Sequence, residues 1–583
     1  MRKWVRRDGF FFLSAGKRCI FGEGYHVIEL GAECFFCVYI DKAQRGRLGK
    51  VSKQAFIRGA LILTVAGIIV KVIGSVNRIL LSRLLGGEGI GLYQMAYPLY
   101  LLAIGVSSAG IPVAISIMVS ERMALEDYRG ARKVFRLAIS MMVATGIIFS
   151  GLLCLGADWL TSSGFVRDTR AYWAIAALSP AILFVPVLAT FRGYFQGLQQ
   201  MTPTAVSQIV EQFFRVLIMI LLAYLLLPTG LEFAAAGASF GAAPGAAFGL
   251  LVLIGYYLKQ RRSMRELEAN QPPSEDLSKR RILSRIVKLA LPVTLANMLM
   301  PLTANIDLMV VPSRLEVAGY TTEAATELFG YLTGMATALI NLPIILTASL
   351  AASLVPAISA AYTLKDMDTI RGNTATAVRI ANFITIPSCV GLFLLATPIS
   401  EMLYATPNAG GCIAILSIGI IFLGVGQVTT GILQGIGHTA IPLMNLAIAA
   451  IVKIVLSWHW TAMPELGIHG AAWATNVDFL VAASLNLFFV RRYIGYTLNI
   501  KDLLKTCTAV VLMGAAVVFS YDFIMTQLAS NTLSTASAIL VGVIVYGIAL
   551  VLLGAVAEDD LARVPKVGAP LARMFRKIGL LRK

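Results

Sequence analysis

The segment from Phe56 to Leu81 reads FIRGALILTVAGIIVKVIGSVNRILL, and its reading decides the class of the chain. It is apolar over a length that can cross a bilayer, because about 20 residues at 1.5 Å rise span the ~30 Å hydrocarbon core. Inside it sit Lys71 and Arg78. A cation at that depth costs roughly 2.5–3.5 kcal/mol on insertion scales, so two in one span require a polar setting. Seven residues make about two helical turns, which puts both cations on one face. One membrane helix is therefore expected to turn a positive stripe toward something other than lipid.

The rest of the composition agrees. Of 583 residues, 57% are hydrophobic and only 14% charged, against roughly 25% charged in a soluble chain. The net charge of +18 is no nucleic-acid signature, because the cations lie mostly in loops between apolar segments, as positive-inside topology predicts. The seven cysteines are scattered and form no disulfide framework.

Residues 1–50 differ from everything after them: mixed, aromatic-rich and basic, without a clear helical or strand period. Cys34 and Cys37, near Cys19 and His26, match no standard zinc spacing, so no metal site is expected. No h-region with a small-residue cleavage site indicates a signal peptide. The segment reads as an extension from a start codon placed too far upstream, with the functional beginning near Val51.

From Val51 onward about fourteen apolar spans follow. Six lie between Phe56 and Leu258, six between Ile286 and Val490, and two more at Leu503–Met525 and Thr535–Val556. No recurrent ten-residue alternation suggests membrane strands. The fold expected is all-α and polytopic, with two six-helix repeats plus two C-terminal helices. Its divisions are an extension (1–50), an N-terminal lobe (51–258), a polar linker (259–285), a C-terminal lobe (286–493), two additional helices (494–556) and a basic tail (557–583). Loops carrying Arg122, Arg129, Arg132 and Lys133, then the basic linker, then Lys365 and Arg371, then Arg491, Arg492 and Lys501 share one side. By the positive-inside rule that side is cytoplasmic, and both termini face it. The tail from Leu561 to Lys583 suits either a basic amphipathic helix on an anionic leaflet or a solvated tail.

The halves repeat. AGIPVAIS at 109–116 recurs as SLVPAIS at 353–359, GYFQGLQQMTP at 193–203 as GILQGIGHTAIP at 431–442, and PGAAFG at 244–249 as HGAAWA at 469–474. Three matches in one order indicate duplication. Six spans per repeat is even, so the halves run parallel about an axis along the membrane normal, with a cavity between them.

Further ionisable groups lie within spans: Glu211, Arg215, Asp307, Lys453 and Asp478, with Asn305 near Asp307. Such groups face a bundle interior or a wet cavity and are functional candidates. Each also has a structural reading. Glu211 and Arg215, spaced i,i+4, can neutralise each other. Asp307 can pair with a cation or cap a neighbour, Lys453 can snorkel, and Asp478 lies about one turn into its span. Prolines within spans, among them Pro98, Pro112, Pro301 and Pro343, kink helices and free carbonyls. There is no G-x-x-x-x-G-K-[ST], H-E-x-x-H or G-x-S-x-G, so neither nucleotide hydrolysis nor a protease or hydrolase centre is indicated. No cofactor or metal is expected.

The stretches GLYQMAYPLYLL (91–102), GIPVAIS (110–116), GYFQGLQQMTPTAVSQIVEQFFRV (193–216), IDLMVVPSRL (306–315) and INLPIILTASLAASLVPAIS (340–359) carry a resemblance over about Val51 to Val556. They resemble the polysaccharide-biosynthesis branch of the multidrug/oligosaccharidyl-lipid/polysaccharide exporter superfamily, and within it the stage V sporulation protein B group, relatives of lipid II flippases. The resemblance implies a flippase moving an undecaprenyl-diphosphate-linked sugar precursor, an anionic lipid, across the cytoplasmic membrane by alternating access. Membrane lipids and cell-envelope synthesis enzymes are the partners it implies, and no nucleic acid. Lys71 and Arg78 match the first-helix cations of lipid II flippases. Where those carry a cation on the eighth helix, this chain has Thr333 and Asn341, so Arg215 or Lys453 is expected to supply the charge. Substrate contacts are thus expected at Lys71, Arg78, Arg215 and Lys453, with Glu211, Asp307, Asn305 and Asn341 as cavity or coupling groups. Two other readings compete. A cation-coupled multidrug antiporter would want unpaired carboxylates where this chain has cations. A membrane polymerase or glycosyltransferase would want larger outer loops and a clustered acid/base set.

Overall fold

The computed structural model describes residues 3–7, 10–15, 18–21, 28–29, 43–108, 110–269, 278–497 and 500–554. The Cys34–Cys37 pair and the basic C-terminal tail lie outside them.

The chain separates into two units, 1–64 and 65–583. The first holds a strand pattern that sequence reading did not find. β1 (Lys3–Arg7), β2 (Phe10–Ala15), β3 (Arg18–Phe21) and β4 (Ile28–Glu29) pair antiparallel in sequential order. Arg7 stands opposite Phe10 and Ala15 opposite Arg18, so only Asp8-Gly9 and Gly16-Lys17 separate the first three strands. Asp-Gly between short aromatic runs is a hairpin signal; the runs are too brief to show a period.

The second unit is helical. α1 (Ala43–Ser108) contains Gly86 at φ 67° and ψ −171°, a backbone conformation only glycine adopts readily, and so comprises two helices. α2 (Ile111–Ala124), α3 (Tyr128–Ser162), α4 (Ala171–Gly197), α5 (Met201–Leu226), α6 (Leu231–Phe240) and α7 (Ala242–Ala269) complete the first half. The second half has α8 (Lys279–Val317), α9 (Thr322–Phe329), a π-helical turn (Gly330–Ala336), α10 (Thr337–Thr363), α11 (Met367–Leu394), α12 (Ala396–Tyr404), α13 (Gly410–Gly435), α14 (Ala440–Trp460) and α15 (Ile468–Ile494). α16 (Ile500–Leu528) and α17 (Asn531–Leu552) pack on each other, and α16 also packs on α11. Twelve stretches among the described residues are long and apolar enough to cross a membrane. The first of these, 65–124, is 60 residues long and broken at Gly86, which is the length of two crossings. α8 carries a further apolar run, 286–311, and the whole is a polytopic all-α membrane body.

The packing repeats as the sequence does. α4 contacts α2, α3 and α7 as α13 contacts α10, α11 and α15, and α5 lies on α7 as α14 lies on α15. The sequence repeats are the contact points. A Cβ on Gly193 would fall 2.6 Å from the Pro112 carbonyl oxygen, and one on Gly431 would fall 2.9 Å from that of Ala351. The G-x-x-x-G of one helix thus lets it close on the backbone of the helix carrying the PVAIS or PAIS run. Much of the polar stretch after Lys259 is helix: α7 continues to Ala269, where Glu268 pairs with Arg132 at 2.8 Å.

Of four separate apolar clusters among the described residues, a small one joins α16 and α17, and the other three divide the body by depth. At the end opposite the basic loops, both halves contribute to one core, with Leu81, Leu92 and Ile175 beside Phe329, Met335 and Ile413. Near the basic loops each half has its own, built around Phe135 and Phe195 in the first and Ile358 and Ile432 in the second. α8 joins them, placing Ile286 and Ala290 in the first half's core and Leu308 and Leu315 in the shared one. The halves therefore share one core at one end and keep separate cores at the other, where α8 bridges them with Ala290 against Gly110.

Candidate substrate cavity

A cavity of about 450 Å³ lies where the halves part, within the usual 300–1,000 Å³ range of small-molecule sites. α1 and α5 form one wall; the π-turn and α10 form the other. Lys71, Arg78 and Arg215 all line it. Lys71 and Arg78 lie about 10 Å apart along α1 by helical rise, and neither makes an ion pair among the described residues. Arg215 comes from α5, facing Tyr93, Tyr97 and Tyr100. Of these rings Tyr93 and Tyr97 stack with centroids 5.7 Å apart.

Arg215 is held from behind. Glu211 accepts from Arg215 Nη2 at 3.0 Å through Oε1 and from Arg192 Nη2 at 2.7 Å through Oε2. Arg192 Nε also donates to Ser207 Oγ at 3.1 Å. Arg192 escaped sequence reading because it lies beside Gly193 near the end of α4, where it passes for a loop-side cation. With two guanidiniums on one carboxylate the cluster keeps a net positive charge. Its Arg215 faces the cavity, while neither Arg192 nor Glu211 lines it.

The facing wall is uncharged. It presents Asn341, Gln427 and Tyr404, with Thr347 Oγ1 donating to Gln427 Oε1 at 2.9 Å. Lys453, expected as a further substrate cation, is elsewhere: its Nζ lies 2.6 Å from Asp307 Oδ2 between α14 and α8. Asp478 is within electrostatic reach and only 6% exposed. It sits three turns into α15, deeper than the sequence boundary implied. Lys453 is therefore the counter-charge of the half-buried Asp307 and the buried Asp478, and it does not line the cavity. Asn305 does not line it either: its amide nitrogen donates to the carbonyls of Pro98 and Pro301, both at 2.8 Å. It joins α8 to α1 at Pro98.

The end opposite the basic loops is shut. A Cβ on Gly91 would lie 2.0 Å from the Thr326 carbonyl oxygen, so the backbones of α1 and α9 are in direct contact there. Arg83 donates to the carbonyls of Met402 and Leu403, and the Tyr404 hydroxyl donates to Met335 O at 3.0 Å. Asp168, 2% exposed, accepts from Thr326 Oγ1 at 2.9 Å and from Arg170 Nη2 at 2.7 Å. The hydrogen bonds to Asp168 and Glu88 raise the pKa of the Arg170 guanidinium still further above its ordinary value. Toward the basic loops the cavity lining reaches Lys71 on α1, which is exposed.

Residues 56–362, just over half of the chain, match the model of the polysaccharide biosynthesis protein family. The chain belongs to that family. Residues 292–459 also match the MatE family. Stage V sporulation protein B of Bacillus subtilis (strain 168) is 29% identical over 528 residues, 90% of this chain and all of the relative. The lipid II flippase MurJ of the same organism is 28% identical over 475 residues, covering 79% and 86% of the two chains. Among solved structures, lipid II flippase MurJ in an inward closed conformation superposes with a TM-score of 0.62 at 18% identity, covering 84% of this chain and 98% of that one. An inward-facing multidrug resistance MATE family transporter of the MOP superfamily gives 0.61 at 17% identity, covering 75% and 98%. The family match, the apolar helices and a fold shared with these two structures make the chain a multi-pass membrane protein of the polysaccharide biosynthesis family.

Proposed function

We propose that the protein is a flippase for an undecaprenyl-diphosphate-linked sugar precursor, lipid II or a related cell-wall or polysaccharide intermediate. The observation that carries this reading is the cavity charge: Lys71, Arg78 and Arg215 on one wall, facing a wall without charge. A diphosphate needs several cationic donors at once, and such donors act strongly where little water competes. A cationic drug would be repelled by the same wall, which disfavours the multidrug antiporter. Homology to a lipid II flippase supports the substrate class.

The basic loops are cytoplasmic on the positive-inside rule, so both termini are cytoplasmic and the cavity opens inward. In this orientation a lipid-linked headgroup enters from the cytoplasmic leaflet. Closure of the two inner cores on each other, with release of the outer contacts at Gly91 and Thr326, would deliver it outward. Enzymes of envelope synthesis make the lipid on one side and consume its headgroup on the other.

The test is translocation of defined undecaprenyl-diphosphate-linked precursors by the reconstituted protein, together with complementation of a flippase-depleted strain. Lys71→Ala and Arg78→Ala are each expected to abolish complementation at normal membrane levels. Full complementation by both, or export of a cationic dye without precursor movement, would overturn the reading.

A further inference from the structure

A second recess lies at the basic end of the first half and shares no residue with the larger cavity. It forms where α7 leaves its apolar run, Ala242 to Leu258, and turns basic at Lys259. Tyr194 of α4 and Tyr257 of α7 line it, with Arg132 of α3 and Arg261, Arg265 and Glu268 of α7. Its enclosed part is about 10 Å³, room for one oxygen-sized group. Arg261 and Arg265 are exposed and stand at its rim. Tyr194 is 4% exposed, its ring stacked on Phe135 with centroids 4.2 Å apart. Yet its hydroxyl makes no hydrogen bond among the described residues, and it is not sealed off from the recess.

The charges around it do not balance. Arg132 is paired with Glu268 at 2.8 Å, whereas Arg261 and Arg265 enter no ion pair or hydrogen bond among the described residues. Three guanidiniums against one carboxylate leave the recess net positive. Cations placed only by the positive-inside rule stand in water and need no floor beneath them. Here the floor holds a buried phenol without a partner, and buried tyrosine hydroxyls usually find one. Phenolic O–H and guanidinium N–H groups all donate, so the group they suit is an anion with several acceptor oxygens, one of which enters the recess. Its depth fits a lipid phosphate: just before Lys259, Tyr256 and Leu258 are 36% and 55% exposed, as lipid-facing side chains are. A zwitterionic headgroup would bring an ammonium to the same arginines, which favours an anionic lipid.

We propose that this recess binds the phosphate of an anionic phospholipid from the leaflet on the basic side. One phosphate oxygen accepts from the Tyr194 hydroxyl, and the others meet Arg261 and Arg265. The bound lipid is a resident of the first half, not its cargo, so the proposal stands whether or not the flippase reading does. Held between α4 and the extension of α7, it braces that half and stabilises the folded protein by mass action.

The experiment is native mass spectrometry of the delipidated full-length protein in detergent, titrated with dioleoylphosphatidylglycerol, dioleoylphosphatidylethanolamine and inorganic phosphate. The first phosphatidylglycerol is expected to bind about 10-fold more tightly than the first phosphatidylethanolamine and to raise the thermal midpoint. Tyr194→Phe keeps the ring stack and removes only the hydroxyl; it should weaken phosphatidylglycerol about 10-fold and leave phosphatidylethanolamine within about twofold. Arg261→Gln combined with Arg265→Gln should bring the two lipids to equal affinity. A loss in the arginine variant with none in Tyr194→Phe would mean attraction to a basic surface without a built site, and would overturn the proposal. Equal wild-type affinities for the two lipids would overturn it as well. Inorganic phosphate binding as tightly as phosphatidylglycerol would make the ligand a free phosphate and remove the lipid. The lipid-free midpoint of Tyr194→Phe reports damage to the fold; if it falls, Tyr257→Phe repeats the test at the neighbouring hydroxyl.

Discussion

Lys453 Nζ lies 2.6 Å from Asp307 Oδ2, joining α14 to α8, a helix of the second half that also enters the first half's core. This pairing takes Lys453 out of the cavity and makes it part of the C-terminal half's framework. Removing one partner of a buried pair leaves an uncompensated charge, whereas replacing both can be nearly neutral.

Lys453→Met is therefore expected to destabilise the protein by about 3–5 kcal/mol, because Asp307 and the nearby Asp478 lose their counter-charge. The double variant Asp307→Leu, Lys453→Met should recover part of that loss. Thermal unfolding in detergent reads both. A wild-type midpoint for Lys453→Met would show that the pair does not hold the bundle.

The two arginines on Glu211 should separate by role. Arg215→Ala removes a cavity cation and should lower affinity for a diphosphate lipid 10-fold or more, worth about 1.4 kcal/mol. Arg192→Ala leaves Glu211 bonded to Arg215 and is expected to lower stability with a smaller effect on affinity. Lipid binding and unfolding measured side by side on both variants check the split. Equal affinity losses would place Arg192 in contact with substrate.

Asn341 tests the uncharged wall. Asn341→Asp puts a carboxylate opposite Lys71 and Arg78, where it competes with phosphate, and should weaken binding at least 10-fold at low salt. Asn341→Lys should preserve or strengthen it. The sign of the difference between the two, measured across ionic strength, decides whether the cavity reads charge; screening should narrow the gap as salt rises.

Gly91→Ala tests the closed end. The obstructing atom is the Thr326 carbonyl oxygen at 2.0 Å, part of a backbone that has little room to move. The substitution should shift the protein away from the arrangement described here. In a cysteine-free background, Ala338→Cys on the cavity wall should label faster with an impermeant maleimide added from the side opposite the basic loops. An unchanged rate would show that this contact does not set the gate.

Much of the fold was legible because a bilayer imposes a coarse rule: apolar length alone marks the membrane-spanning helices. The glycine-containing repeats were legible too, since close helix packing needs small residues at fixed spacing. The small sheet at 3–29 escaped because strands of two to six residues are too short to show a period. In the site, Lys71 and Arg78 were readable from one helix face. Arg192 was not, since its meaning depends on Glu211, which lies 19 positions away on another helix.

What the sequence by itself determined is a duplicated, all-helical membrane protein whose first span, Phe56 to Leu81, carries two cations that lipid cannot accommodate. What only the tertiary structure decided is which charges remain free. Lys453 and Glu211 are paired with side chains from other helices, Lys71 and Arg78 are in no ion pair among the described residues, and Arg215 turns toward the cavity. The physical reason is that spacing along a helix fixes a residue's face, whereas pairing depends on the distance to atoms remote in sequence. Coulomb energy in a low-dielectric interior is set by that distance.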